Sequence, residues 1–282
     1  MKKTTEEWTI EITPERGIFS IPVREIFDYR DLLYLFVRRD FVATYKQTVL
    51  GPLWFLIQPI LTTVMMVFVF GTIAGLSTDG LPKVLFYLSG VTLWFYFSSS
   101  LTKTSTTFTA NARLFGKVYF PRLLVPISVV ISNLVLLAIQ VGLFLVFYVF
   151  YYLRGDVDPN PTIALFPILI LILGMLGLAS GLVISALTTK YRDLSNLVSF
   201  GIQLLMYATP IIYPVSTIPE KYRFIIEANP ISAVIETFRH GFLGVGEFSW
   251  LALGYSFSFA CVLLLTGTLI FNKIEATFMD TV

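Results

Sequence analysis

The amino-acid sequence predicts an all-α integral membrane protein. It has six transmembrane helices, an N-terminal cytoplasmic amphipathic interface helix and short re-entrant helices before the last span. Three observations lead there. Of the 282 residues, 56% are hydrophobic and only 13% are charged, against roughly 25% charged in an ordinary soluble domain. Six stretches, residues 47–78, 84–102, 123–153, 159–189, 194–219 and 248–272, contain no Asp, Glu, Lys or Arg, and about 20 apolar residues suffice to cross a hydrocarbon layer of about 30 Å. With six crossings, 15 of the 20 Lys and Arg fall in segments 1–46, 103–122, 190–193 and 273–282, and 5 (Lys83, Arg154, Lys221, Arg223 and Arg239) fall in the other connections. Cytoplasmic segments near span ends collect Lys and Arg, so both termini are expected in the cytoplasm.

The chain divides into residues 1–46, a cytoplasmic N-terminal arm with the interface helix, and residues 47–282, a six-span transmembrane domain; it shows no internal repeat. Lys2 and Lys3 lead into the polar TTEEWTIEITPE rather than the apolar core of a signal peptide, so the N-terminus is expected to stay in the compartment where it was made. Residues 1–21 read as a polar strand-like or irregular arm that Pro14 and Gly17 break. From Val23 the pattern changes: Ile26, Tyr29, Leu33, Phe36, Val37 and Phe41 recur every three to four residues, with Arg30, Asp31, Arg38, Arg39 and Asp40 between them. This is an amphipathic helix too charged to span, lying along the inner membrane face or against a soluble partner.

Residues 214–248 differ from the short connections on their side. Ile225, Ile226, Ile231, Val234, Ile235, Phe238 and Phe242 are too apolar for a free loop, while Glu220, Lys221, Arg223, Glu227, Glu236, Arg239 and Glu247 forbid a span. A pair of short interfacial or re-entrant helices around Pro230 fits both facts, because irregular backbone at membrane depth must be buried or line a cavity.

Several functions are excluded by composition. A net charge of +2 is too small to imply nucleic acid. Cys261 is the only cysteine and reads as a small hydrophobe in the last run. His240 is the only histidine, so a multi-histidine metal site cannot be built, and beside Gly241 it reads as a cap or polar contact. The chain has no glycine-rich phosphate loop and no catalytic constellation.

Two stripes combine aromatic and uncharged hydrogen-bonding groups. On helices, Trp54, Gln58, Thr62, Met65 and Phe68 share one broad face, Ser199, Gln203 and Tyr207 share another, and Pro59 and Pro210 interrupt the two helices. Gly174, Gly177 and Gly181 put small residues on one face of the fourth run, which favours close helix contact, most simply within the subunit. The connection 103–122 carries Lys103, Arg113, Lys117 and Arg122 without an acid, and residues 104–116 can form a short helix ending at Gly116. Arg38, Arg39 and Lys46 precede the Leu50, Gly51, Pro52 break that opens the first span. Their guanidinium and ammonium groups suit phosphate oxygens or plain positive-inside anchoring.

The segment YRDLLYLFVRRDFVATYKQTVLGPLWFLIQP from Tyr29 resembles the permease subunits of ABC-2 type exporters of O-antigen, capsule and teichoic-acid polymers. NARLFGKVYFPRLLVPISVVISNL from Asn111, YRDLSN from Tyr191, QLLMYATPIIYP from Gln203 and NPISAVIETFRHGFLG from Asn229 extend the resemblance over most of the chain after residue 28. It implies a homodimer in the bacterial cytoplasmic (inner) membrane, each copy docked on a separate nucleotide-binding ATPase subunit. ATP and Mg would be bound there, with no cofactor on this chain. It further implies that a glycan carried on a polyprenyl diphosphate passes from membrane lipid into a channel between the copies. Under it, Lys103, Arg113, Lys117 and Arg122 become ATPase-coupling residues and Arg38, Arg39 and Lys46 lipid-diphosphate residues. The aromatic-polar stripes become a conduit that holds sugar rings weakly. The family often places a basic residue immediately before Tyr45, where this chain has Thr44. An ABC-2 exporter of teichoic acid, lipid or drug remains an alternative. So does a membrane-embedded enzyme acting on polyprenyl-phosphate substrates, whose carboxylates would have to come from Glu220, Glu227, Glu236 or Glu247.

Overall fold

A computed structural model describes residues 23–278, positions 47, 116, 119, 191 and 192 excepted, and every regular element among them is helical. The arm expected over residues 1–21 lies outside the described residues. In chain order the helices are α1 (Val23–Asp28), α2 (Arg30–Tyr45), α3 (Trp54–Met66), α4 (Lys83–Ser105), α5 (Thr107–Phe115), α6 (Leu124–Tyr152), α7 (Phe166–Lys190), α8 (Leu194–Tyr207), α9 (Glu220–Glu227), α10 (Pro230–Leu243) and α11 (Trp250–Phe278). Short 3-10 turns open α3 at Gly51–Leu53 and α7 at Pro161–Leu165, and α3 continues as a π-helical stretch over Val67–Ile73.

Five helical segments are long and apolar enough to cross a membrane: Gly51–Ile73, Lys83–Ser105, Leu124–Tyr152, Pro161–Thr188 and Trp250–Ile274. The expected fifth run, 194–219, instead yields the 14-residue α8, about 21 Å long at 1.5 Å per residue and short of a full crossing. The chain turns at Ala208–Pro214, where Pro210 and Pro214 lack the N–H groups a continued helix needs. Pro59 behaves differently from expectation. It is buried inside α3, and the helix runs through it. The irregularity comes later, in the π-helical stretch, where the Gly71 carbonyl accepts a 2.6 Å bond from Lys83 Nζ.

The centre of the fold is α4, which is buried along most of its length and touches α3, α6, α7, α8 and α10. Its many small and hydroxyl residues allow this. Ser89 and Ser105 donate to the carbonyls of Phe86 and Thr102 at 2.7 Å, so these two hydroxyls find partners on their own helix. The glycine face of α7 meets α4 within the subunit. A β-carbon at Gly174 would lie 2.6 Å from Tyr96 Oη, one at Gly177 would lie 2.8 Å from Ser100 Cβ, and one at Gly181 would run into Thr104. Asn133 of α6 accepts from Lys103 Nζ at 3.0 Å and donates to Ser100 Oγ at 3.2 Å, tying α6 to the same helix. Trp94, Tyr96 and Phe97 are buried in this core.

The connections gather at two ends. At one, Ser216 Oγ donates to the Asp79 carboxylate at 2.8 Å, and the Asn160 amide donates to the Gly241 carbonyl at 2.8 Å. His240 Nδ1 lies 3.1 Å from Thr162 Oγ1, a polar contact as expected. At the other, Phe108 of α5 stacks on Phe271 of α11 at 4.5 Å, Phe36 of α2 meets Phe120 at 5.5 Å, and Thr188 bonds the Ser105 carbonyl at 3.0 Å. Cys261 is half-buried on α11.

At the first end α9 and α10 form the pair of short helices expected around Pro230. Asn229 caps α10 by accepting from the Ile231 amide at 3.0 Å, Pro230 occupies the first turn, and Gly244 closes it with φ 75° against the Asp158 carbonyl. Phe238 and Phe242, stacked at 4.6 Å, press on Phe144 of α6 and Phe166 of α7. Arg239 is 1% exposed. Its five N–H groups go to Ser89 Oγ (3.3 Å), the carbonyls of Pro210 (2.5 Å), Ile211 (3.1 Å) and Phe86 (3.3 Å), and Glu236 (3.3 Å), while its guanidinium sits 3.7 Å from the Phe86 ring centroid. Burial lowers its pKa to about 10, and Glu236 opposes that fall, so the group stays charged at neutral pH. Burial in turn raises the Glu236 carboxyl, against the pull of Arg239. Gly90 makes the approach possible, since a β-carbon there would meet Arg239 Nη2 at 3.1 Å and Ile211 Cα at 3.2 Å.

These contacts, and the open space elsewhere, set the expected cost of substitutions. Gly181→Val forces α4 and α7 apart and is expected to cost about 1–3 kcal/mol. Gly201→Ala, at a position with open space around it, is expected to be neutral or slightly stabilising. Thermal unfolding midpoints of the detergent-solubilised protein measure both. Arg239→Leu leaves Glu236 and four other acceptors without their donor and is expected to cost about 3–5 kcal/mol, with Arg239→Lys intermediate in the same assay.

Candidate functional site

The two stripes singled out in the sequence occupy uncovered faces. On α3 the buried side is Phe55, Pro59, Thr63 and Met66. Trp54, Gln58, Met65 and Phe68 are exposed and Thr62 is half-buried. The two sets are offset by one residue along the helix, which turns the stripe about 100° away from the buried face. On α8, Ser199, Gln203 and Tyr207 are all exposed, Ser199 Oγ bonds the Ser195 carbonyl at 3.1 Å, and the Tyr207 carbonyl accepts from Tyr213 at 2.7 Å. Both helices lie against α4, so the stripes flank the most buried span without being covered by this chain. Each offers flat rings beside amides and hydroxyls, a chemistry suited to ligands with apolar faces and polar rims.

The basic residues before the first span lie on α2 and its end. Arg38 and Arg39 are exposed and adjacent, and Lys46 follows the last helical residue, about 12 Å further along the axis at 1.5 Å per residue. Arg39 already pairs with Asp40 at 2.8 Å and lies 4.7 Å from the Phe36 ring. The expected amphipathic pattern is present: Phe36 is buried and α2 packs on α6, with Ser132 Oγ bonding the Val37 carbonyl at 3.3 Å.

In the basic connection 103–122 the described cations differ in burial: Lys103 and Lys117 are exposed and Arg122 is buried. Lys103, in the last turn of α4, turns its ammonium to Asn133. Arg122 is buried, 5.4 Å from the Phe115 ring. Lys117 is exposed; the side chain of Arg113 and the residue Gly116 lie outside what is described. The expected short helix is α5, ending at Phe115 and seated by Phe108 and Phe115 in an aromatic cluster with Phe120 and Phe271.

Two residues that hold this arrangement were not assigned a role from the sequence. Arg239 counted only as a charge in an outer connection. Its signal was position, since Ile235 and Phe242 share its face at helical spacing and a cation there must be buried with partners. Asn133 is a carboxamide in an otherwise apolar run, and such groups in a span bond across helices.

Comparison with known proteins adds the family. The ABC-2 type transporter family matches residues 31–243. The chain is 31% identical over 254 residues to an O-antigen export system permease protein RfbA of Klebsiella pneumoniae, covering 89% of this chain and 94% of that protein. It is 31% identical over 219 residues to an O-antigen export system permease protein RfbA of Myxococcus xanthus, covering 77% and 82%. It is 22% identical over 233 residues to a polysialic acid transport protein KpsM of Escherichia coli, covering 82% and 89%. With its multiple apolar helices and a family match over most of its length, the chain belongs to the ABC-2 type transporter family, as a multi-pass transport permease and not an enzyme.

Proposed function

We propose that this chain is the transmembrane permease subunit of an ATP-driven exporter that moves lipid-linked polysaccharide, of the O-antigen kind, across the bacterial cytoplasmic membrane. The observation that carries this reading is the similarity, over 89% of the chain, to a permease named for O-antigen export. The uncovered aromatic-polar stripes on α3 and α8 support it. A sugar ring presents C–H faces and a rim of hydroxyls, which rings and amides bind weakly enough to let it move on.

In this reading two copies form a homodimer, and Trp54, Gln58, Thr62, Met65, Phe68, Ser199, Gln203 and Tyr207 line the conduit. A separate ATPase subunit binds ATP and Mg, because this chain has no phosphate loop, and docks near Lys103, Arg113, Lys117 and Arg122. Arg38, Arg39 and Lys46 receive the polyprenyl diphosphate at the cytoplasmic end of the first span. The α1–α2 segment is the interface helix of residues 1–46, and residues 47–282 form the transmembrane domain. α8 with the turn that follows serves as the fifth of six crossings, α9 and α10 are re-entrant from the outside, and both termini are cytoplasmic.

The sidedness is tested by single cysteines in a Cys261→Ser background. Cysteines at Arg154 and Lys221, both exposed, should react with an impermeant thiol reagent added to intact cells, and one at Lys117 should react only after permeabilisation. Labelling of position 117 in intact cells would overturn the topology. For the transport role, deletion of the gene should remove the cell-surface glycan and the wild-type copy should restore it. Trp54→Ala, Gln203→Ala and Tyr207→Ala are each expected to slow export or change exported chain length while ATP hydrolysis by the assembled transporter continues. Normal export from a stably assembled triple variant would place the conduit elsewhere.

A further inference from the structure

The first span changes helical type along its length. It is α-helical over Trp54–Met66 and π-helical over Val67–Ile73, where the Ala74 amide reaches back to the Val69 carbonyl at 2.9 Å. A π turn closes its hydrogen bond one residue later than an α turn, so the stretch stores one residue more than a continuous α-helix would hold. From this geometry we infer that α3 has two registers and that Lys83 is the positioning residue that holds it in the π form. The inference rests on the export reading above only for its use, since a change of register turns the proposed conduit stripe.

The clamp is built at Gly71. Lys83 Nζ donates to the Gly71 carbonyl at 2.6 Å. A β-carbon on Gly71 would lie 3.0 Å from Lys83 Cδ and 3.4 Å from Tyr87 Cε2, so the missing side chain is what lets α4 reach this carbonyl. Beyond it the chain runs through the connection 74–82, in which Asp79 accepts from Ser216 at 2.8 Å. The Ile73 end is thus tied to its surroundings, whereas the Trp54 end follows Gly51, a glycine with φ 53°.

The residues of α3 provide for the second register. With the Ile73 end held, winding the stretch into an α-helix turns Trp54–Met66 by one residue's angle, about 100°. Each residue then takes the place of the one before it. Leu56, Ile60 and Val64 enter the positions of Phe55, Pro59 and Thr63 on the side that packs on α4 and α6. The incoming row is wholly aliphatic, while the present row carries a defect: the Thr63 hydroxyl is buried without a hydrogen-bond partner. Buried polar groups are almost always paired, and the turn moves Thr63 to the half-buried place of Thr62.

The two registers therefore trade comparable terms. Phe55, which meets Phe41 of α2 at 6.1 Å, and the Lys83 bond favour the π form. The unpaired Thr63 hydroxyl and the exposed Val64 side chain favour the other. Opposed contributions of this kind make an element bistable, and π stretches recur at functional sites in helices. Trp54, Gln58, Thr62 and Met65 turn with the helix, so Lys83 sets which face of α3 stays uncovered.

The test uses the full-length permease in lipid nanodiscs, in a Cys261→Ser background, with a trifluoroethylthio group on Thr63→Cys or Val64→Cys. Fluorine NMR with dissolved oxygen as the paramagnetic probe reads exposure at each position. The otherwise wild-type protein should be shielded at 63 and exposed at 64, in line with side chains that are 4% and 56% exposed. Lys83→Met should bring up a second signal at each position, exposed at 63 and shielded at 64. Its population relative to the first should rise about tenfold, as loss of one hydrogen bond from a charged group allows. Gly71→Ala, which crowds Lys83, should act in the same way, and Lys83→Arg should keep the wild-type pattern. Deleting Thr72 from the Lys83→Met protein removes the stored residue and should return each position to its wild-type signal alone. Unchanged signals in Lys83→Met and Gly71→Ala, a gain of exposure at both positions together, or a second signal that survives the Thr72 deletion would overturn the inference. The readout needs no glycan, so its failure leaves the export reading standing. Surface glycan that persists after gene deletion removes the export reading and leaves the two registers in place.

Discussion

Lipid tails are as apolar as leucine, so the hydrophobic effect does little to bring two helices together inside a bilayer. Association then depends on how closely backbones can approach and on polar groups that bond across the gap. In this chain both conditions are met along α4. The glycines of α7 leave no room for a side chain against Tyr96, Ser100 and Thr104, and the carboxamide of Asn133 bridges from α6 to Ser100 and Lys103. Serine hydroxyls that would otherwise be a burden at membrane depth bond back to their own helix. The small residues that make α4 a poor surface helix make it a good centre.

The end of the molecule formed by α9 and α10 depends on the same helix. Phe86, Ser89 and Gly90 receive Arg239, and through it the first two turns of α4 are joined to α10 and to the Pro210–Ile211 corner after α8. A charged side chain in such surroundings is stabilising only when every donor is satisfied, and here each N–H has an acceptor. The consequence reaches the candidate conduit. α8 is short and stops before two prolines, and its far end is positioned by a side chain that belongs to another element. The exposed stripe of Ser199, Gln203 and Tyr207 inherits its orientation from that anchor.

At the opposite end the elements nearest the proposed ATPase are held by aromatic contacts. α5 is seated on α11 by Phe108 against Phe271, and α2 lies on α6 with Phe36 against Phe120. A partner pressing on either helix would act on buried rings continuous with the spans, a physical route from nucleotide hydrolysis to helix movement. Lys103 and Arg122 are part of this seating, since both turn toward the protein.

Much of the architecture could be read from residue types alone. Charge-free runs located most of the spans because an ion in hydrocarbon is costly, the α1–α2 segment showed its period of three to four, and a pair of short helices was legible around Pro230. The glycine face of α7 announced a close contact, and the stripes on α3 and α8 were visible as faces. Other features depended on partners distant in sequence. Pro59 is tolerated inside α3 where it is buried, whereas Pro210 and Pro214 end the fifth run as a 14-residue helix. Arg239, 150 residues from Ser89, reads as a loop charge until the fold surrounds it with carbonyls. Among the basic residues of 103–122, Arg122 is buried beside the Phe115 ring, whereas Lys103 stays exposed with its ammonium bonded to Asn133. The sequence by itself determined which segments can enter a membrane and which faces are polar, because those follow from composition and helical period. Only the tertiary structure decided which charges are buried and which faces stay open, because those depend on the groups that approach from other helices.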